Sequence, residues 1–343
     1  MSGTDVHVHF VPPGLGGDGR DWRPEVMAHS HGPSTVRLRG RVIDSVVDEF
    51  ADLDVIVEAS AARGVDRLVL SPWVSLIPAA AAADEAVAVC RAHNRAMADV
   101  IAGREGHVAA MAMVPFEHGN AAVEVAEEAL ELGLNGVELM ATYGGRTLGD
   151  PSRAEFFAFA AEEGVPVFVH PSTRGLDLPA FARYYLWNSV ANPVETAMAA
   201  AGLVLSGTME RHPELKVVLA HGGGALLSVW DRIAHSWEVR PEAKEDLGEH
   251  PGQSLARLYV DSVVQSPELL GALVAKLGAG RVLLGSDWPF DMGLRDPVGM
   301  VRAAGLSDSE TAAILAGNAR FIYRVSTESN LRESPGFGAK WNS

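Results

Sequence analysis

The sequence has one cysteine, Cys90, in 343 residues. That excludes an intramolecular disulfide and fits a reducing cytoplasm. Cys90 falls inside a helical pattern and reads as a small core residue rather than a nucleophile. No apolar run reaches the roughly 18 residues of a membrane span. Basic charge is scarce: 28 Lys and Arg stand against 44 Asp and Glu, for a net charge of −16. This excludes a nucleic-acid-binding face, which would need to be basic. The opening MSGTDVHVHF has neither a basic n-region nor an apolar h-region, so no secretory signal is expected. No G-x-S-x-G elbow occurs, which argues against a serine hydrolase. GLGGDGR at Gly14–Arg20 is glycine-rich, but no helix start follows it, so it does not read as a phosphate cradle.

Hydrophobic residues make up 48 % of the chain, enough for one large domain or two small ones. Short apolar runs alternate with longer helical patterns throughout. Strands are expected at Asp5–Phe10, Arg67–Ser71, Val108–Val114, Gly136–Ala141, Val165–His170, Lys216–His221, Leu258–Ser262 and Val282–Ser286. Helices are expected at Ser45–Ala62, Ala81–Ala102, Ala121–Leu132, Ser152–Glu163, Pro193–Arg211, Ala225–Trp237 and Pro267–Leu277, with a last one near Asp308–Tyr323. Eight strands alternating with eight helices predict an α/β fold, a (β/α)8 TIM barrel; a doubly wound open sheet is the alternative. Val11–Asp44 and Pro171–Asn192 read as insertions after strands one and five, at strand C-termini where barrel active sites form. The barrel is expected to fill residues 1–325 as one domain, with a polar tail over 326–343.

The polar residues give the pattern a chemical meaning. His7 and His9 are spaced i, i+2 on strand one and so share a face. His170 ends strand five in VPVFVHP, His221 ends strand six in KVVLAHGGG, and Asp287 follows strand eight in VLLGSDWPF. Packing alone would not gather imidazoles and a carboxylate at these strand ends. Three histidines and one aspartate suit a borderline divalent ion and leave a position for water, whose pKa the metal would lower. His221 is the candidate proton shuttle beside that water. The glycines after it allow a tight turn and keep side chains off the pocket floor. Asp5, deeper on the same strand, is expected to orient a ligand or contact the barrel interior. Glu138 is expected to be a satisfied barrel carboxylate.

DVHVHFVPP, FVHPS, VVLAHGGGALL and LLGSDWPF, in this order, resemble the amidohydrolase superfamily. More narrowly, they resemble its metal-dependent branch of aminocarboxymuconate-semialdehyde and aromatic-acid decarboxylases. The resemblance runs from about Asp5 to Tyr323. It implies a (β/α)8 barrel with one divalent metal, Zn2+ being expected and Mn2+, Fe2+ or Co2+ possible, and no organic cofactor. It implies His7, His9, His170 and Asp287 as ligands and His221 as the residue that activates the metal water. Arg232 in HGGGALLSVWDR matches an arginine that holds a substrate carboxylate from a neighbouring subunit, which implies a homodimer. Arg41 is the weaker match for a second such arginine, with Arg37 and Arg39 competing. Arg232 paired with Asp231 on a solvated helix is the competing reading. The absence of lysine from GVELMATY favours one metal over a bridged pair.

Ser172 stands where the decarboxylase has a tryptophan after HP, and the loop after strand five also differs. Both departures bear on substrate rather than metal. The expected activity is cofactor-free decarboxylation of a small unsaturated or aromatic carboxylic acid, with metal-bound water and His221 handling the proton. The alternative is a metal-dependent hydrolase of a lactone, amide or carbon–carbon bond, with Asp287 or His221 as base. A third reading is a non-enzymatic metal-binding protein. His29–His31 has the same H-x-H spacing but no strand pattern around it.

Overall fold

The structure, a computed structural model, describes residues 2–13, 15, 25–27, 35–38, 41–43, 50–104, 106–172, 175–176 and 178–325. Eight strands form the frame: β1 (Gly3–Phe10), β2 (Val65–Pro72), β3 (Val108–Ala110), β4 (Val137–Met140), β5 (Val167–His170), β6 (Val217–Leu219), β7 (Tyr259–Asp261) and β8 (Val282–Leu283). Every ladder between them is parallel, in the order β1-β2-β3 and β4-β5-β6-β7-β8. Two seams close the ring. Ala112 N–H donates to Gly136 O (2.8 Å) between β3 and β4, and Val6 N–H donates to Leu284 O (2.9 Å) between β1 and β8. This is the (β/α)8 barrel.

The outer helices are α1 (Leu53–Ala62), α2 (Ala83–Ile101), α3 (Asn120–Glu131), α4 (Ala154–Glu162), α5 (Asn192–Leu205), α6 (Leu226–Val239) and α7 (Pro267–Leu277). After β8 come α8 (Pro297–Ala303), α9 (Asp308–Ala312) and α10 (Asn318–Tyr323). Local chemistry sets their ends. Asp52 caps α1, Ser266 caps α7 ahead of Pro267, and Asp296 caps α8. Two departures from the sequence reading have simple causes. The helix expected over Pro193–Arg211 breaks at Gly207, whose φ of 70° is left-handed, and restarts as a short turn. α8 was not expected; it is a helix of 7 residues opened by Asp296-Pro297.

Val6, Val69, Met111, Phe168, Val218 and Leu283 fill the barrel interior. Tyr323 of α10 packs with them and approaches Gly136 at the start of β4, closing the N-terminal end of the barrel. Chemistry is therefore left to the opposite end. The connection from β1 to α1 carries a small antiparallel sheet of Glu25–Met27, Thr35–Leu38 and Arg41–Ile43. The connection from β5 to α5 carries a turn at Pro179–Phe181 and a π-helical turn at Trp187–Ala191. Among the described residues no helix is long and apolar enough to cross a membrane.

His93 on α2 is 1 % exposed, and neither ring nitrogen has a hydrogen-bond partner among the described residues. The Asn94 amide beside it is engaged at both ends by Met113. Burial lowers the imidazole from 6.5 to about 4. As pH falls, the unfolded chain takes up this proton first. Stability is thus undiminished above pH 6.5 and is lost between pH 6.5 and about 4, by up to about 3 kcal/mol. His93→Leu should flatten that part of the profile. Urea unfolding at neutral and mildly acid pH will show a smaller acid loss in the variant; equal losses would refute the assignment.

Candidate metal centre

The C-terminal end of the barrel gathers the histidines. β1 delivers His7 and His9, both fully buried, and its ladder with β2 shifts register between Asp5 and Val8. Asp5 Oδ1 accepts the backbone N–H groups of His7 and Ser286, both at 3.0 Å, and so ties β1 to the segment after β8. Asp287 follows on that segment, its own N–H donating to His7 O (2.9 Å). His170 is the last residue of β5. His221 lies just past β6 and opens a tight turn rather than ending the strand.

Four side chains converge. One donor atom from each of His7, His9, His170 and Asp287 lies within 4.8 Å of the others. His7 Nε2 is 3.0 Å from His9 Nε2, and both are close to Asp287 Oδ1, at 3.2 and 3.1 Å. The outer nitrogens explain the orientation. His7 Nδ1 donates to Asp261 Oδ2 (2.6 Å), His9 Nδ1 to Pro72 O (3.2 Å) and His170 Nδ1 to Pro171 O (2.8 Å). Each neutral ring therefore carries its proton on Nδ1 and turns an Nε2 lone pair inward. His170 Nε2 is buried and has no hydrogen-bond partner among the described residues.

Such lone pairs repel one another unless something positive lies between them. Donors about 2.1 Å from one tetrahedral ion would stand about 3.4 Å from each other. The His7, His9 and Asp287 atoms, 3.0 to 3.2 Å apart, come near that spacing, and His170 has a donor within 4.8 Å of them, so the residues fit a divalent ion. Electrostatics agree. Burial would pull the His7 imidazole down, but the Asp287 and Asp261 carboxylates outweigh it and push it up to about 10. Burial lowers His9 and His170. Against burial, His7 and the bonds from His221 and His9 hold Asp287 well below the usual carboxylate range. The two carboxylates thus favour positive charge at His7, while burial keeps His9 and His170 neutral as ligands require.

His221 stands beside the cluster, its Nε2 3.3 Å from Asp287 Oδ2. Both line a cavity of about 250 Å³. Gln265 also lines it. All three have left-handed backbones, with φ of 56° (His221), 62° (Asp287) and 59° (Gln265). Non-glycine residues held there cost about 1–3 kcal/mol each, and such strain clusters at functional sites. The glycines after His221 are required by space as well. A Cβ on Gly222 would come within 2.2 Å of Val264 Cγ1, and one on Gly224 within 2.3 Å of Pro193 O.

Asp261 is the residue the sequence reading missed. One of its oxygens holds His7, and the other accepts the Gly222 N–H (2.9 Å), so a single carboxylate positions a cluster imidazole and the turn carrying His221. Its one sequence signal is an aspartate inside the apolar run LYVDSVV. Glu138 corrects an expectation: it is buried, but neither oxygen has a hydrogen-bond partner among the described residues, and burial pushes its carboxyl well above the usual range. It does not belong to the four-residue cluster.

The structure does not bring Arg232 to the cavity of its own chain. It is exposed on α6, and Asp231 pairs with Lys276 (2.7 Å) instead. Arg41 opens a strand of the small sheet, and its side chain lies outside the described residues, as do Arg39, His29, His31 and the tail 326–343. Cys90 is buried among core residues, and burial pushes its thiol up.

Comparison with known proteins shows the family and the fold. The chain is 27 % identical to 2-amino-3-carboxymuconate-6-semialdehyde decarboxylase of Dictyostelium discoideum, over 92 % of this chain and 89 % of that protein. It is 27 % identical to 6-methylsalicylic acid decarboxylase of Penicillium expansum, over 84 % and 85 %. The fold superposes on a dihydroxybenzoic acid decarboxylase from a Polaromonas species, solved with manganese and 2-nitroresorcinol, with a TM-score of 0.75 at 21 % identity, covering 96 % of this chain and 99 % of that one. The amidohydrolase family model matches residues 4–325, and the chain belongs to the amidohydrolase family.

Proposed function

We propose that this protein is a metal-dependent decarboxylase of an aromatic or unsaturated carboxylic acid, with no organic cofactor. The observation that carries the reading is the convergence of three imidazole Nε2 atoms and a carboxylate beside a cavity lined by His221. In this reading His7, His9, His170 and Asp287 hold one divalent ion, which when bound supplies Lewis acidity and positive charge for an anionic substrate. Zinc is the expected ion, because imidazole and carboxylate donors suit it. Manganese, present in solved decarboxylase neighbours, is the first alternative, ahead of iron(II) and cobalt(II).

Decarboxylation breaks the bond to CO2 and leaves its electron pair on carbon, which must take up a proton. His221 is assigned to hold and move that proton. Its side chain is 19 % exposed on the cavity wall, while Asp287 orients the ring through Nε2. The positive charge of the site matters more because the whole chain is acidic, at −16, and repels an anion. Arg232 of a second copy, with Arg41, is assigned to hold the substrate carboxylate. The exposure of Arg232 leaves it free to reach a second copy, as that assignment and a homodimer require. We read residues 1–325 as one barrel domain, 326–343 as a polar tail, and the long connections after β1 and β5 as insertions bordering the substrate mouth. The single cysteine supports a cytoplasmic location.

The test is CO2 release from a panel of hydroxybenzoate-like and carboxymuconate-like acids by metal-loaded protein. Release that chelation abolishes and a divalent ion restores is expected. Turnover of a lactone or amide with no CO2, or protein without stoichiometric metal, would sink the proposal.

A further inference from the structure

One buried carboxylate outside the cluster has no part in the proposed reaction. Glu195, in the first turn of α5, is 1 % exposed. Three donors meet it. Thr142 Oγ1, just past β4, donates to Oε1 (2.5 Å), and Ser172 Oγ donates to the same oxygen (2.5 Å). The Ser172 backbone N–H donates to Oε2 (3.1 Å). Gly175 passes so close that a Cβ there would come within 1.9 Å of Ser172 Oγ and 2.2 Å of Glu195 Oε1. Burial raises this carboxyl, and the three donors work against that. From sequence, Ser172 is one of the departures that bear on substrate; in the structure its side chain is buried and bonded to Glu195.

The bond to the Ser172 N–H has a second end. That N–H and the Pro171 carbonyl belong to one peptide unit, and Pro171 O accepts the Nδ1–H of His170 (2.8 Å). The unit is planar and conjugated, so negative charge at its N–H pushes electron density onto its oxygen. A more basic oxygen holds the Nδ1 proton more firmly. That fixes the tautomer and the ring plane and makes Nε2 a better donor to a metal. His7 receives the same support directly, from the Asp261 carboxylate at 2.6 Å. For His170 a carboxylate charge arrives through one peptide.

We propose that Glu195 is a positioning residue for His170: its carboxylate, acting through the peptide between Pro171 and Ser172, orients the imidazole and raises its affinity for the divalent ion. This rests on the assignment of His170 as a metal ligand. The competing role is a clamp that only ties the segments after β4 and β5 to α5.

Two substitutions in the full chain separate these roles. Glu195→Gln keeps the shape of the side chain. With its amide oxygen toward the Ser172 N–H and the two hydroxyls turned to accept, it keeps the hydrogen bonds and loses the charge. Thr142→Val removes one bond of the clamp and leaves the path to His170 intact. Zinc is the probe, because imidazole and carboxylate donors bind it more tightly than manganese. Its dissociation constant, from competition with a chromophoric chelator, should rise about tenfold in Glu195→Gln. In Thr142→Val it should stay close to the parent's. Metal-free melting curves show that each variant is folded. Equal zinc affinity in the parent and Glu195→Gln, or an equal loss in both variants, would overturn the proposal. If Glu195→Gln does not fold, NMR of the parent decides. Zinc should move the Ser172 amide proton downfield, because a metal on Nε2 tightens the hydrogen bonds back to Glu195. An unmoved amide would overturn the proposal. A parent that binds no zinc would sink the ligand assignment and this role together, whereas tight zinc binding unaffected by Glu195→Gln would sink this role alone.

Discussion

Asp287→Asn protein will fold, purify without a stoichiometric divalent ion, and release CO2 at least about a thousandfold more slowly than the parent. The substitution keeps the shape of the side chain and removes its charge. Asp287 contacts His7, His9 and His221 at 3.1 to 3.3 Å, so it is the group on which the cluster closes. Without it, three neutral imidazoles face one another with no anion to balance a divalent ion, and metal affinity falls with the lost charge. A second readout does not depend on turnover. An ion that binds the folded chain raises its melting temperature in proportion to the logarithm of free metal. The parent stripped by chelator should regain that shift on addition of zinc or manganese, and the variant should not. A variant with full metal content would show that the ion sits elsewhere and refute the ligand assignment.

The parts of the site that could be read from sequence share one property. Each interrupts or directly follows an apolar run that the barrel pattern predicts as a strand, so its oddity is local. His7, His9, His170 and Asp287 are all of this kind, and the structure brings them within 4.8 Å of one another. Asp261 also interrupts an apolar strand, but its meaning depends on His7, 254 residues away, reached only because β7 and β1 line the same barrel interior. No spacing rule encodes that contact. The fold shows the same division. The glycines ending the expected helices before Asp66, Asn135 and Val165 do adopt left-handed φ of 80°, 88° and 66°, because that requirement is local. The strand ends were less legible. β6 stops at Leu219 rather than His221, since the left-handed backbone at His221 and Gly222 leaves the ladder. Strand pairing, not hydrophobic pattern, decides where a ladder stops.

His221→Asn tests the remaining assignment and should separate proton handling from metal binding. The choice of asparagine follows from the backbone. His221 sits at φ 56°, a region asparagine tolerates better than alanine, so the variant loses the imidazole with little added strain. The four clustered donors are untouched, and metal content should stay stoichiometric. Loss of a positioned proton donor typically costs about a hundredfold to ten-thousandfold, and kcat should fall by that amount. The fall should appear in kcat more than in KM, because the substrate's carboxylate is assigned to the metal and arginine side of the site. A purely structural role for His221 predicts something different. Its turn is held by Asp261 through the Gly222 N–H, so a collapse there would disturb His7 as well and lower metal content together with rate. Unchanged turnover would refute the proton-transfer role. Joint loss of metal and activity would make His221 a support of the cluster, and loss of kcat with metal retained would leave it as the group that delivers the proton.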